Sequence, residues 1–166
     1  MIKEGYNPVP ISVNISQVDF YTIDVFSYLV DLIKKYDLTP NLLKIEITES
    51  AYVDTKTIVR DVATRLKNYG FTVLMDDFGS GFSSLNILND YDFDELKLDM
   101  HFLRSFNRRS RTILTSIIRM AKEINMHTLA EGVETEEQFI FLRDSGCEKV
   151  QGYYFGKPMP YEDAIQ

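Results

Sequence analysis

The sequence predicts an α/β fold, with about six parallel strands and helices on the outside of the sheet. Three observations predict it. Short apolar runs rich in β-branched residues alternate with amphipathic helical patterns, and that alternation is how parallel strands are connected. The runs are near-continuously apolar rather than alternating, as in sheets covered on both faces. Polar residues gather where the runs end. Two architectures satisfy these observations, an open doubly wound sheet and a β/α barrel.

The expected strands are Val9–Ile15, Leu43–Thr48, Phe71–Asp76, Glu95–Asp99, His127–Ala130 and Lys149–Phe155. A helix is expected over 19–37, where Phe26, Leu29, Val30 and Ile33 recur at spacings of three and four. A second covers 55–69, with Ile58, Val59, Val62 and Leu66 on one face and Gly70 as its stop. After Asp76 comes a Gly/Ser loop and then a short helix over 83–90. Ile113, Leu114, Ile117, Ile118, Ala121 and Ile124 mark a helix over 108–125. The last helix opens at about Glu136, behind the capping-box pattern Thr135-Glu-Glu-Gln138, and Gly146 closes it.

Composition bounds the function. The chain has 166 residues, 45% hydrophobic and 26% charged, which excludes disorder, coiled coil and collagen. No apolar run reaches the roughly 18 residues of a membrane helix. The first residues do not form a signal peptide. One cysteine, Cys147, makes no internal disulfide, and His101 and His127 alone do not build a zinc site. His127 is expected to pack at the start of its strand, and Cys147 to act as a small buried hydrophobe. The net charge is −7, which argues against duplex nucleic acid as a partner. An anionic ligand would need a cation to meet it.

Each strand delivers a polar group at or near its C-terminal end: Asn14, Glu46, Asp76 with Asp77, Lys97, Glu131 and Gln151. In parallel β/α folds that end is where active sites form. Glu46, Asp76, Asp77 and Glu131 are hard oxygen donors, and Asn14 adds an amide oxygen. That set suits Mg²⁺ or Mn²⁺. Asp76 and Asp77 repel each other unless cations sit between them. Two cations roughly 3.5–4 Å apart would clamp a phosphate and activate a water for in-line attack. Lys97 would add positive charge near the phosphoryl oxygens or hold that water, and Gln151 would position it. Each residue alone has a plainer reading. Asp-Asp is commonly a turn, Asn14 and Ser16 are good helix caps, and Lys97 with Asp99 makes a surface ion pair. It is their joint order that points to a metal site. Tyr153 and Tyr154 follow Gln151 and place a ring where a base can stack.

The motifs resemble the EAL family of cyclic di-GMP phosphodiesterases. They run Ser12-Val-Asn14-Ile-Ser16, Glu46-Ile-Thr-Glu49, Asp76-Asp-Phe-Gly-Ser-Gly-Phe-Ser-Ser-Leu85, Leu96-Lys-Leu-Asp99, Ala130-Glu-Gly-Val-Glu134 and Gln151-Gly-Tyr-Tyr-Phe155, followed by Lys157-Pro158. Ser80 and Phe82 stand where the family commonly has Thr and Tyr. The resemblance implies a TIM-like β/α barrel that cleaves cyclic di-GMP to linear pGpG with two Mg²⁺ or Mn²⁺ ions. It implies Asn14, Glu46, Asp76 and Asp77 as metal ligands. Lys97, Glu131 and Gln151 would be the catalytic residues around the attacking water. Glu49 and Glu134 would support, Glu49 by holding the loop after Asp77.

The sequence contains no Glu-Ala-Leu, the motif that names the family, and a complete β/α barrel typically needs roughly 200 residues or more. The expectation is therefore a single partial domain over 1–166 that begins just before the Asn14 strand, an incomplete barrel with impaired hydrolysis. The alternative is a non-catalytic module that binds cyclic di-GMP or a protein partner on the same scaffold. Further expectations are self-association as a homodimer, an upstream sensor or GGDEF-type domain in a longer parent, and a cytoplasmic location.

Overall fold

The computed structural model describes residues 8–48, 51, 56–79, 84–160 and 163. Among them are six strands: β1 (Ile11–Ile15), β2 (Leu43–Thr48), β3 (Thr72–Phe78), β4 (Glu95–Leu98), β5 (His127–Ala130) and β6 (Lys149–Val150). Their hydrogen-bonded order is the order of the chain. β1 with β2, β2 with β3 and β5 with β6 pair in parallel. The helices are α1 (Gln17–Thr22), α2 (Val25–Lys35), α3 (Lys56–Tyr69), α4 (Ser84–Asp90), α5 (His101–Arg104), α6 (Arg108–Glu123) and α7 (Glu136–Asp144), with a 3₁₀ turn at Pro40–Leu42. This is the α/β alternation the sequence predicts. No helix among the described residues is long and apolar enough to cross a membrane. The chain divides into two compact units, Met1–Leu96 and Lys97–Gln166.

In the first unit, β2 is buried on both sides. Ile45 and Ile47 have no exposed surface, and Glu46 between them is 6% exposed. α2 and α3 supply apolar faces, with Leu29, Val30 and Ile33 from one and Val59, Ala63 and Leu66 from the other. Phe26 meets Tyr69 edge to face, and the Arg65 guanidinium lies 4.1 Å above the Phe26 ring. The helix expected over 19–37 is two helices. Asp24 interrupts it by accepting a hydrogen bond from the Ser27 amide and so capping α2. α1 has its own cap, because the Asp19 carboxylate takes both the amide and the hydroxyl hydrogen bonds of Ser16. β1 starts at Ile11 rather than Val9, after Pro10, which has no N–H to give the ladder. β4 opens on a charge, Glu95, 1% exposed, which Lys44 at the start of β2 meets at 3.1 Å.

In the second unit, Leu103, Leu114, Ile118, Ala121, Ala130, Val133 and Leu142 form the core. α6 carries an Asn107 cap whose side chain accepts from the amides of Arg109 and Ser110. β6 is shorter than expected, ending at Val150 instead of Phe155. The chain turns at Gly152, where a Cβ would fall 2.2 Å from the Val133 carbonyl oxygen. Tyr154 then donates its amide back to that same oxygen. His127 is an exposed residue hydrogen-bonded to Glu148 at 2.7 Å, not the packing residue the sequence suggests. It stands at the first position of β5, where the ring reaches water. Cys147 is half-buried; its thiol is pushed up from the usual range chiefly by burial.

Candidate active site

The first unit carries the acidic set. Asn14 stands opposite Glu46 in the β1–β2 register, and Glu46 stands opposite Leu74 in β2–β3. Paired residues in a parallel sheet point to one face, and so do residues two apart on a strand. Asn14, Glu46 and Asp76 therefore share a face, with Asp76 one pleat further toward the C-terminal ends. Asn14 is exposed, and Asp76 is 7% exposed. Ser16 caps α1, as its plainer reading holds, whereas Asn14 lies within β1.

Asp77 departs from that alternation. Its φ is +59°, in the left-handed region that non-glycine residues rarely occupy. Its amide donates to the Asp76 carboxylate at 2.8 Å. Simple pleating would aim the two side chains to opposite faces, and the positive φ at Asp77 breaks that alternation within β3. Backbone strain of this kind is held in place by its surroundings and clusters at functional positions. Glu49 and loop residues 80–83 lie outside the described residues. No three His, Cys, Asp or Glu side chains among the described residues come together as a metal-holding group. The donor set is nonetheless made of carboxylate and amide oxygens, which is the chemistry of a hard divalent cation.

The second unit carries the hydrogen-bonded set. The Lys97 ammonium lies 2.6 Å from Glu131 Oε1. The Gln151 side-chain amide donates to the same oxygen at 2.7 Å. The backbone fixes all three positions. The Glu131 amide donates to the Leu98 carbonyl, the Gln151 amide to Ala130, and the Val133 amide to the Gln151 carbonyl. Lys97 is 8% exposed, so its charge is held at an interior position beside an opposite one. A cleft of about 720 Å³ opens beside this set, lined by Met100, Glu131, Glu134, Gln151, Tyr153 and Lys157 among others. Glu134, expected as a support, lines it and gives its amide to Gln138. Of the two tyrosines, Tyr154 stacks on Phe139 at 5.8 Å and Tyr153 lines the cleft under Lys157.

One pairing was not foreseen. Asp99, 8% exposed, accepts hydrogen bonds from the His101 amide and from its ring Nδ1. The signal was local: Asp99 stands two residues before His101, just past the end of β4.

The EAL domain model matches residues 1–158. The chain belongs to the EAL domain family. It is 34% identical over 156 residues to the probable cyclic di-GMP phosphodiesterase PdeB of Escherichia coli (strain K12), a match covering 94% of this chain and 30% of PdeB. Among solved structures, the PaMucR phosphodiesterase in complex with c-di-GMP superposes with a TM-score of 0.89 at 31% identity, covering 98% of this chain and 67% of that one. The manganese and cy-diGMP complex of Klebsiella pneumoniae BlrP1 at pH 9.0 superposes with a TM-score of 0.85 at 28% identity, covering 92% and 40%. The EAL chain described here spans only 19% to 30% of the length of such curated relatives.

Proposed function

We propose that this EAL domain hydrolyses cyclic di-GMP to linear pGpG. The observation that carries the reading is the Lys97–Glu131–Gln151 chain, joined at 2.6 and 2.7 Å through one carboxylate oxygen. Such a set can act on a water in the way phosphodiester cleavage requires. Glu131 is the acceptor for the water's proton, Gln151 orients that carboxylate, and Lys97 balances its charge and offers an ammonium to phosphoryl oxygens. The water oxygen bonds to phosphorus as the phosphorus–O3′ bond breaks, and the departing oxygen takes up a proton.

Asn14, Glu46, Asp76 and Asp77 are the residues that would hold two divalent cations, Mg²⁺ or Mn²⁺. When bound, such ions neutralise phosphate charge and make water a better nucleophile. The relatives crystallised with cyclic di-GMP, one of them with manganese, support the choice of ligand and ion. Self-association, an upstream sensor or GGDEF-type domain and a cytoplasmic location complete the proposal.

The test is direct. The purified 166-residue chain is incubated with cyclic di-GMP and Mn²⁺, and the products are separated by chromatography. Formation of pGpG, abolished by a chelator, is the expected result. Calorimetric binding of cyclic di-GMP without pGpG would make the chain a receptor instead, and neither binding nor product would end both readings.

A further inference from the structure

The helix that follows Glu131 opens with a glutamine that does more than cap it. Gln138 is 8% exposed, and its side chain reaches in two directions. Its amide oxygen accepts from the backbone N–H of Glu134 at 2.8 Å and of Thr135 at 3.1 Å. Its amide nitrogen donates to the Leu103 carbonyl at 3.1 Å, a buried contact across 35 residues of sequence. Leu103 lies in α5, which follows Lys97 of β4 after Asp99 and Met100. Glu134 and Thr135 end the loop that begins at Glu131. One side chain thus joins the backbone just beyond the Lys97 strand end to the end of the Glu131 loop, and the two charged groups meet at 2.6 Å.

The capping box is complete with the Thr135 hydroxyl, which accepts from the Gln138 amide at 3.3 Å, and the Gln138 oxygen, which accepts from the Thr135 amide. The Leu103 bond is not part of any capping pattern. The chemistry also selects the residue type. Two N–H groups need an acceptor, and a carbonyl at the far side needs a donor. A glutamine satisfies both at that reach, whereas an ionised glutamate has no donor. The loops are otherwise packed without slack. Gly132 leaves no room for a Cβ, which would sit 2.6 Å from the Met100 Cβ.

We propose that Gln138 is a positioning residue for the reaction: it sets the spacing between the segment that follows Lys97 and the loop that begins at Glu131, and so the alignment of that pair. This rests on the hydrolytic reading above. Its effect belongs in kcat, because the spacing is used when the pair acts, while the KM for cyclic di-GMP stays near the parent value.

The test uses two substitutions of nearly equal volume. Gln138→Met removes all three side-chain hydrogen bonds and should lower kcat about 10-fold to 100-fold, the range for residues that orient a catalytic group. Gln138→Glu should lose a similar factor at pH 8, where its carboxylate faces the Leu103 carbonyl. Protonation gives that carboxyl a donor and an acceptor in the positions of the amide, and burial favours the neutral form. The ratio of Gln138→Glu activity to parent activity should therefore rise as the pH is lowered from 8 to 6. A ratio flat with pH, or a Gln138→Met enzyme with parental kcat, would overturn the proposal. If the parent chain proves inactive, the hydrolytic reading fails separately. The link is then decided by amide hydrogen exchange. Faster exchange at Glu131 as well as at Glu134 and Thr135 in folded Gln138→Met sustains it, and acceleration confined to Glu134 and Thr135 reduces Gln138 to a cap.

Discussion

The strand-end polar groups of the two compact units differ in charge. In the first unit these groups are acidic or neutral, apart from the Lys44–Glu95 pair at the opposite strand ends: Glu46 and Asp76, 6% and 7% exposed, share a sheet face with Asn14, and Asp77 follows with a positive φ. In the second, Lys97 and Glu131 neutralise each other and an amide completes the set. Burial penalises any charge, but only like charges gain from an added cation. The acidic set is therefore the one whose energy should respond to divalent metal. The hydrogen-bonded set should be assembled before any ligand arrives.

The largest expected effect follows from that contrast. Asp76→Ala should reduce turnover to background, a loss above about 10³-fold, since several kcal/mol of charge stabilisation are removed with the ion. Its cost in stability should be small, because relief of repulsion from Asp77 offsets the lost amide contact. Thermal melts supply the check. Mn²⁺ at 100 times its dissociation constant should stabilise the parent chain by about 2.7 kcal/mol and the Asp76→Ala chain far less. Equal stabilisation of both would place the metal elsewhere.

Lys97→Met should act the other way round, costing stability as well as rate. Removing one partner of a fully buried pair costs about 3–5 kcal/mol, and the figure here should be nearer about 1–3 kcal/mol because Glu131 keeps its Gln151 partner and some access to water. Urea midpoints measure it, and adding Glu131→Gln to the Lys97→Met chain should recover part of the loss. A Lys97→Met chain as stable as its parent would mean that the 2.6 Å contact contributes nothing to folding, and that the second unit is not the self-sufficient one.

Much of this was legible in the sequence, and what was not has physical causes. β2 and β5 fall where the apolar runs place them, and a glutamate, Glu49 or Glu131, follows each run directly. The break between α1 and α2 was hidden because apolar periodicity continues past it, although the Asp24 cap could have been read three residues before Ser27. The end of β6 was not legible, since it depends on Gly152 meeting the Val133 backbone. The order of the strand-end polar residues was legible, but the contacts among them were not. Alternation alone cannot announce that Asp77 takes a positive φ, or that Gln138 reaches Leu103. Likewise Lys44 and Glu95 come together across 51 residues, a distance that no local pattern spans.

The smallest expected effect lies at the other ends of β5 and β6, where His127 and Glu148 pair at 2.7 Å. The Glu148 carboxyl is held below its ordinary range. Burial works against the charged form, but the hydrogen bonds from His127 and the Thr128 amide, with the charges of His127 and Lys149, outweigh it. A carboxyl depressed in the folded state contributes stability that is present above its unfolded value, about 4.3. That contribution is lost as the pH falls through the folded value. Glu148→Gln should therefore lower stability at pH 7 by less than about 1 kcal/mol, given how exposed both side chains are. The gap between variant and parent should close in urea titrations carried below the ordinary carboxylate range. Because the pair sits at the strand starts, turnover should be unchanged. A Glu148→Gln chain with altered kcat would mean that the second unit transmits strain from one end of its strands to the other, and that its hydrogen-bonded set is less rigid than its short contacts imply.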